Sequence, residues 1–182
     1  MFKGTAMKKT VVIYKSTSGF TKKYAEWIAQ SLNCDLLNRK QANLKKILDY
    51  DIIIYGGSLH AVGISGVDII SKNLPSLKEK TIVIFATGAS PARPEIPSVV
   101  LNRNFTSDQQ KQITFFYLRG GFDFNKLDLV NKALMTLMKW KIKSKKEWDS
   151  DDKGMMAAFS NPIDFTDKDN LKELLEFVRS KQ

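Results

Sequence analysis

"YKSTSGFTKKYAEWIAQ", residues 14–30, places a Ser/Thr/Gly cluster directly between an apolar run and an amphipathic one. Two uses of such a cluster compete. Ser18 or Thr21 can serve as a helix N-cap, its side-chain oxygen accepting from a first-turn amide. Alternatively, hydroxyls and unpaired N–H groups at a helix start form an anion cradle, which the helix dipole favours without a buried lysine. The loop by itself does not choose between them; its surroundings must.

Outward from this loop, four short runs are rich in β-branched and aromatic residues: "TVVIY" (10–14), "DIIIY" (51–55), "TIVIF" (81–85) and "ITFFYL" (113–118), with a weaker one at "CDLLN" (34–38). Continuous apolarity over this length predicts strands covered on both faces. Between them lie helical patterns. Tyr24, Ala25, Ile28, Ala29 and Leu32 share one face of the first, and "NLKKIL" (43–48) and "GVDIISKNL" (66–74) are shorter. Strand and helix alternate, so the fold class is α/β with parallel strands joined by right-handed crossovers. The closing segment "TDKDNLKELLEFVRSK" predicts a helix capped by Thr166, with Leu171, Leu174, Leu175 and Val178 inward. About fifty residues separate the fifth strand from this helix, more than a connection needs, which marks an insertion.

Composition narrows the functional classes. The 182 residues are 43% hydrophobic, enough for a substantial core. There is no apolar run of the roughly 18 residues needed to span a bilayer, and "MFKGTAMKK" lacks the apolar stretch of a secretory signal. The expectation is a soluble cytoplasmic protein; the six residues before Met7 carry no readable signal. One cysteine, Cys34, excludes an internal disulfide and a cysteine-cluster metal site, and a single histidine, His60, argues against histidine-rich zinc chemistry. No metal ligand set is expected, and Cys34 reads as a small buried hydrophobe. Lys and Arg exceed Asp and Glu by 29 to 19, a formal +10. Such a field suits nucleic acid, an anionic membrane surface or an anionic ligand.

In an open parallel sheet, ligands bind beyond the carboxyl ends of the strands where the strand order reverses. The loops there are "KSTSGFT", "GGSLHAVGISG" and "ATGASPARP". All are rich in small or hydroxyl residues, which let backbone approach a ligand and offer it N–H and O–H groups. A G-x-x-x-x-G-K-[ST] P-loop is absent, as is a G-x-G-x-x-G after the first strand, so ATP hydrolysis and a Rossmann dinucleotide site lose weight.

Ser16-Thr17-Ser18-Gly19-Phe20-Thr21 resembles the flavodoxin phosphate-loop pattern [ST]-x-[ST]-G-x-[ST], at that family's position between strand one and helix one. The resemblance implies a flavodoxin-like, doubly wound five-stranded parallel sheet of order 2-1-3-4-5. It also implies one domain over 1–182 with a helical insert at 122–165 between strand five and the last helix. The implied cofactor is FMN, its phosphate on the hydroxyls of Ser16, Ser18 and Thr21 and the amides from Thr17 to Thr21. Gly57, Ser58, Leu59 and His60, with Thr87, Gly88, Ala89 and Ser90, would border the flavin ring. Unlike ordinary flavodoxins, which are acidic and sandwich the ring between aromatics, this chain is basic and its ring loops hold neither Trp nor Tyr. His60 either bonds a substrate or the flavin edge, or caps a loop.

The stretches "FYLRGGFD" and "ALMTLMKWK" are similar to the bacterial flavodoxin-type, menaquinone-dependent protoporphyrinogen oxidases, which carry a long insert at this place. That similarity implies an FMN-dependent oxidoreductase that removes hydride equivalents from a porphyrinogen and uses a quinone as acceptor. Arg119 is then a candidate for a substrate carboxylate, against a structural ion pair with Asp123. Two alternatives remain: a flavodoxin-type electron carrier serving a protein redox partner, and a flavin-free domain acting by protein contact. Lys126–Lys146 holds seven lysines against Asp128, a net +6. Leu127, Val130, Leu134, Leu137, Met138 and Ile142 form an approximate apolar stripe there, with Met135 and Trp140 at its borders. Such a helix lies on an anionic membrane at the inner face of the cell membrane, packs on the protein's own sheet, or attracts a carboxylate-bearing substrate. Nucleic acid is not expected, since no recognition motif accompanies the charge.

Overall fold

A computed structural model describes residues 8–182, and residues 1–7 lie outside the described residues. The chain runs β1 (Thr10–Lys15), α1 (Phe20–Leu32), β2 (Asp35–Asn38), α2 (Leu44–Ile47) and β3 (Ile52–His60). It continues through β4 (Gly63–Ile64), α3 (Asp68–Ser71), β5 (Thr81–Gly88), α4 (Glu95–Asn104), α5 (Ser107–Gln110) and β6 (Ile113–Arg119). After β6 come β7 (Gly121–Phe122), α6 (Leu129–Lys143), α7 (Ser150–Ser160), β8 (Ile163–Asp164) and α8 (Lys172–Arg179).

The main sheet is parallel in the order β2-β1-β3-β5-β6, with β4 folded back antiparallel on β3. Counted over its five parallel strands, this is the expected order 2-1-3-4-5. Alternation along each strand divides the core between two faces. Val11, Ile13, Ile53 and Ile84 meet α2, α3 and α4 through Ile47, Ile70 and Val100. Val12, Ile54 and Val83 meet α1 and α8 through Ile28, Leu174 and Val178. Helices on both faces explain why the central strands read as unbroken apolar runs.

The predicted face of α1 is buried throughout: Tyr24, Ala25, Ile28, Ala29 and Leu32. Its start is different. Gly19 is the N-cap and no side chain caps it. A missing cap costs about 1 kcal/mol, less than the roughly 1.5–3 kcal/mol gained by burying one side chain such as Ile28. Packing therefore holds α1 in place while its first-turn amides stay available.

Two expected boundaries move. The segment after "DIIIY" continues as strand to His60, because β3 pairs with β5 through Ser58 and Thr87, and then turns at Ala61 and Val62 into β4. The closing helix is not capped by Thr166. Asp167 accepts from the Asp169 amide at 3.0 Å to open a short 3-10 turn before α8, while the Thr166 hydroxyl donates to Asp164. The segment between β6 and α8 leaves and returns through a two-residue antiparallel stem, Gly121 opposite Asp164 and Phe122 opposite Ile163. The stem is tied to the sheet where the Phe165 amide donates to Gly120 and the Gly120 amide donates to Gly88, both at 2.8 Å.

Candidate functional site

The carboxyl ends of β1, β3 and β5 bring their loops together, and hydroxyl contacts join them. Thr17 Oγ1 lies 3.1 Å from Ser58 Oγ and 3.1 Å from His60 Nε2, tying the loop after β1 to the β3 hairpin. Thr21 Oγ1 lies 2.6 Å from Thr87 Oγ1, tying the start of α1 to the end of β5. The register brings these strand ends to neighbouring levels of the sheet, with Lys15 beside Gly57 and, one residue further, Ser58 beside Thr87.

The loop 16–21 closes on itself: Ser16 Oγ accepts from the Gly19 amide at 3.0 Å. That bond uses one of the five amides assigned above to an anion, and leaves those of Thr17, Ser18, Phe20 and Thr21. Gly19 has φ +97° and ψ −21°, a backbone region that favours glycine, and a Cβ built on it would meet nothing within 4 Å. The space beside the helix start is therefore open rather than filled by protein.

The loops border a cavity of about 790 Å³, inside the range of small-molecule sites. Its inner wall includes Thr17, Ser18, Ser58, His60, Thr87 and Gly88. Its outer wall comes from α4, α6 and α7, with Ile96, Val99, Leu134, Met135, Met138 and Met155. The insert thus roofs the site, which periodicity in its sequence did not reveal. Asp151 of α7 bonds Arg93 from the loop after β5 at 3.1 and 3.2 Å and clasps the roof to that loop. The lining is mostly apolar; among the described residues, none that lines it is Lys or Arg, and Glu95 is its one carboxylate. The lysines of α6 stand outside it.

Backbone contacts shape the loops after β3 and β5. Tyr117 donates to the Ser90 carbonyl at 2.7 Å, and burial pushes its hydroxyl up to about 12. A neutral, fixed phenol therefore holds the segment 88–90 from the neighbouring strand. Gly57 is packed so closely on Ile64 that a side chain would collide. Leu59, His60 and Ala61 line the cavity from the hairpin, where Ala61 has φ +53°.

Arg119 lies elsewhere. Its guanidinium stacks on Phe165 at 3.6 Å and its Nε–H donates to the Ala89 carbonyl at 3.4 Å, outside the cavity lining. The expected Arg119–Asp123 ion pair does not form. Asp123 instead accepts from the Asn125 amide and pairs with Lys126 at 3.3 Å, because the chain turns at Gly120 and Gly121 and carries Asp123 away with the stem. The N-cap of α6, Asp128, is held below the usual carboxylate range by bonds from the Asn131 amide and side chain. Among the described residues no group of three His, Cys, Asp or Glu side chains is placed to hold a metal. Half-buried Cys34 has its thiol pushed up to about 11, by burial first and then by Asp35, and so is a poor nucleophile.

The family model described as Flavodoxin domain matches residues 11–149. No curated protein matches the sequence. Among solved structures, the two-electron reduced flavodoxin of Megasphaera elsdenii is similar at 16% identity and a TM-score of 0.45, over 59% of this chain and 84% of that one. The Trp repressor binding protein of Bacillus subtilis is similar at 18% and 0.43, over 62% and 85%. Oxidised flavodoxin 2 of Bacillus cereus is similar at 21% and 0.40, over 61% and 85%.

Proposed function

Since the chain belongs to the flavodoxin-domain family, with FMN as its cofactor, we propose that it is an FMN-dependent oxidoreductase delivering electrons to a quinone-type acceptor. The observation that carries this reading is the roofed cavity. One end is a hydroxyl-lined helix start with open space beside Gly19, and the other is an apolar chamber under the insert. The residues fit FMN at the first end: four free amides, the Ser18 hydroxyl and the positive end of α1 suit a phosphate. Bound FMN supplies the hydride and electron chemistry.

The chain's own residues bind, orient and shield. The hairpin Gly57–His60 and the segment Thr87–Ser90 border the ring with small side chains and backbone groups, and Tyr117 fixes the second of these. Met135, Met138 and Met155 close the outer side, and such polarizable side chains adapt to a flat ring. A lining without Lys or Arg suits an uncharged acceptor such as a quinone. A porphyrinogen donor, the substrate suggested by the similarity of the insert, would have to keep its carboxylates at the mouth.

A second observation supports contact with a membrane surface. One face of α6 turns inward through Met135, Met138 and Ile142, while the opposite side leaves Val130 71%, Leu137 61% and Trp140 68% exposed. Lys139, Lys141 and Lys143 stand on the same helix, which suits the headgroups of anionic lipid. No helix among the described residues is long and apolar enough to cross a membrane, so contact would be peripheral.

The test is anaerobic. The FMN-loaded protein is reduced with dithionite and then mixed with a soluble naphthoquinone, and in a second arm the oxidised protein is mixed with protoporphyrinogen. Stoichiometric reoxidation of the reduced flavin by the quinone is expected. Reoxidation only by redox proteins would favour the electron-carrier alternative, and reduction of the flavin in the second arm would identify the porphyrinogen as donor.

A further inference from the structure

The Thr21–Thr87 contact does more than join two loops. Both side chains are buried, at 1% and 4% exposure, and their oxygens are 2.6 Å apart across 66 residues of chain. Two hydroxyls carry two protons, and the bond between them uses one. The other proton requires an acceptor, because a buried donor left without one is costly. Thr21 stands in the first turn of α1, beside amides that have no acceptor within the helix. Thr87 stands on the cavity wall at the end of β5.

We propose that Thr87 is a positioning residue for the FMN phosphate: its hydroxyl donates to Thr21, which leaves the Thr21 proton for a phosphate oxygen. The inference rests on the FMN assignment above. Geometry alone allows either direction for the Thr21–Thr87 bond, and the anion selects one. A hydrogen bond to an ionised oxygen is about twice as strong as one between neutral groups, so the proton nearest the helix start goes to the phosphate and Thr87 must donate behind it. In such a chain each bond polarises the next. Thr87 lies on the loop assigned to the ring, yet it acts on the opposite end of the cofactor. It also ties α1 to β5, so phosphate occupancy steadies the strand end that carries Gly88 and Ala89.

Thr87→Val keeps the shape of the side chain and removes the donor. FMN and riboflavin, which lacks the phosphate, are titrated into the cofactor-free full chain and followed by flavin fluorescence. FMN affinity should fall about tenfold or more, the scale of a lost bond in a charged network, while riboflavin affinity changes by less than about twofold. Thr87→Ser should restore FMN binding. In a Thr21→Val background, adding Thr87→Val should change FMN affinity by less than about twofold, since the two act through one bond. Equal weakening of both flavins would overturn the proposal and make Thr87 a packing residue. A full additional loss in the Thr21→Val background would overturn it too. If Thr87→Val does not fold, Thr87→Ala must give the same FMN-selective loss. Failure of the unaltered protein to bind FMN is seen before any variant is made, and it would overturn the cofactor assignment together with this inference.

Discussion

Gly56 sits in the middle of β3 with the ring of Phe85 filling the place a side chain would take. The glycine is there for that ring, and Phe85 in turn is fully buried against the core face shared with α1. Gly56→Ala should therefore destabilise the protein by about 1–3 kcal/mol through overpacking, read as a lower denaturant midpoint at unchanged slope. Gly19 makes a different demand. Its left-handed backbone costs a residue with a Cβ about 1–2 kcal/mol, although no atom stands in the way, so Gly19→Ala should lower thermal stability with the core intact. At this scale the loop 16–21 was legible in sequence, because hydroxyls, glycine and position after a strand are all local signals. The Thr21–Thr87 pair was not, since nothing in either segment names a partner 66 residues away. Nor was the fate of Arg119, whose stacking on Phe165 depends on where the insert returns.

Among the elements, α6 and α7 carry most of what is particular to this molecule. The apolar positions of α6 read as one stripe, but they divide into a face over the cavity and a face left open. A heptad-like pattern records that residues are apolar, not how many neighbours the helix has. Residues 150–160 lay within the expected helical insert, but no separate helix was marked there, because apolar periodicity is weak and Gly154 interrupts it. Its signal was the capping box, in which Asp149 accepts from the Asp152 amide at 2.7 Å. Asp152 also takes Lys145 at 2.7 and 2.8 Å across the corner between the helices. That ammonium bond, first among the causes, holds the Asp152 carboxyl below its ordinary value of 3.8. A carboxylate depressed in the folded state stabilises above its unfolded value and loses that contribution as pH falls through the folded one. Exchange protection of α7 amides should thus be level from pH 8 to about 5 and fall once pH drops below the ordinary carboxylate range. Loss of protection beginning near pH 6 would contradict this. Asp149→Ala should cost about 1 kcal/mol as a lost cap, confined by hydrogen exchange to α7.

For the whole molecule, a parallel α/β sheet was readable from the apolar runs, through the alternation of strand and helix and the right-handed crossover rule, whereas the strand order was implied only by the resemblance of the loop 16–21 to flavodoxins. What the cavity excludes was not. A formal +10 allowed an anionic ligand among other anionic partners, whereas the lysines of α6 stand outside a chamber lined by methionine and aliphatic side chains. Net charge reports the outer field, and only the fold decides which side chains turn inward. The exposed face of α6 leads to one further expectation: Leu137→Glu with Trp140→Glu should abolish sedimentation with anionic vesicles while FMN binding persists, and unchanged sedimentation would remove α6 from the membrane account. The central claim is that FMN lies with its phosphate on the loop 16–21 and its ring beneath the insert. An NMR titration of the labelled full chain with FMN, following backbone amides and methionine methyls, tests it most directly. The account predicts saturable shifts at residues 17–21, 57–60 and 87–90 and at the methyls of Met135, Met138 and Met155. Shifts confined to other surfaces, with these signals unmoved, would contradict it.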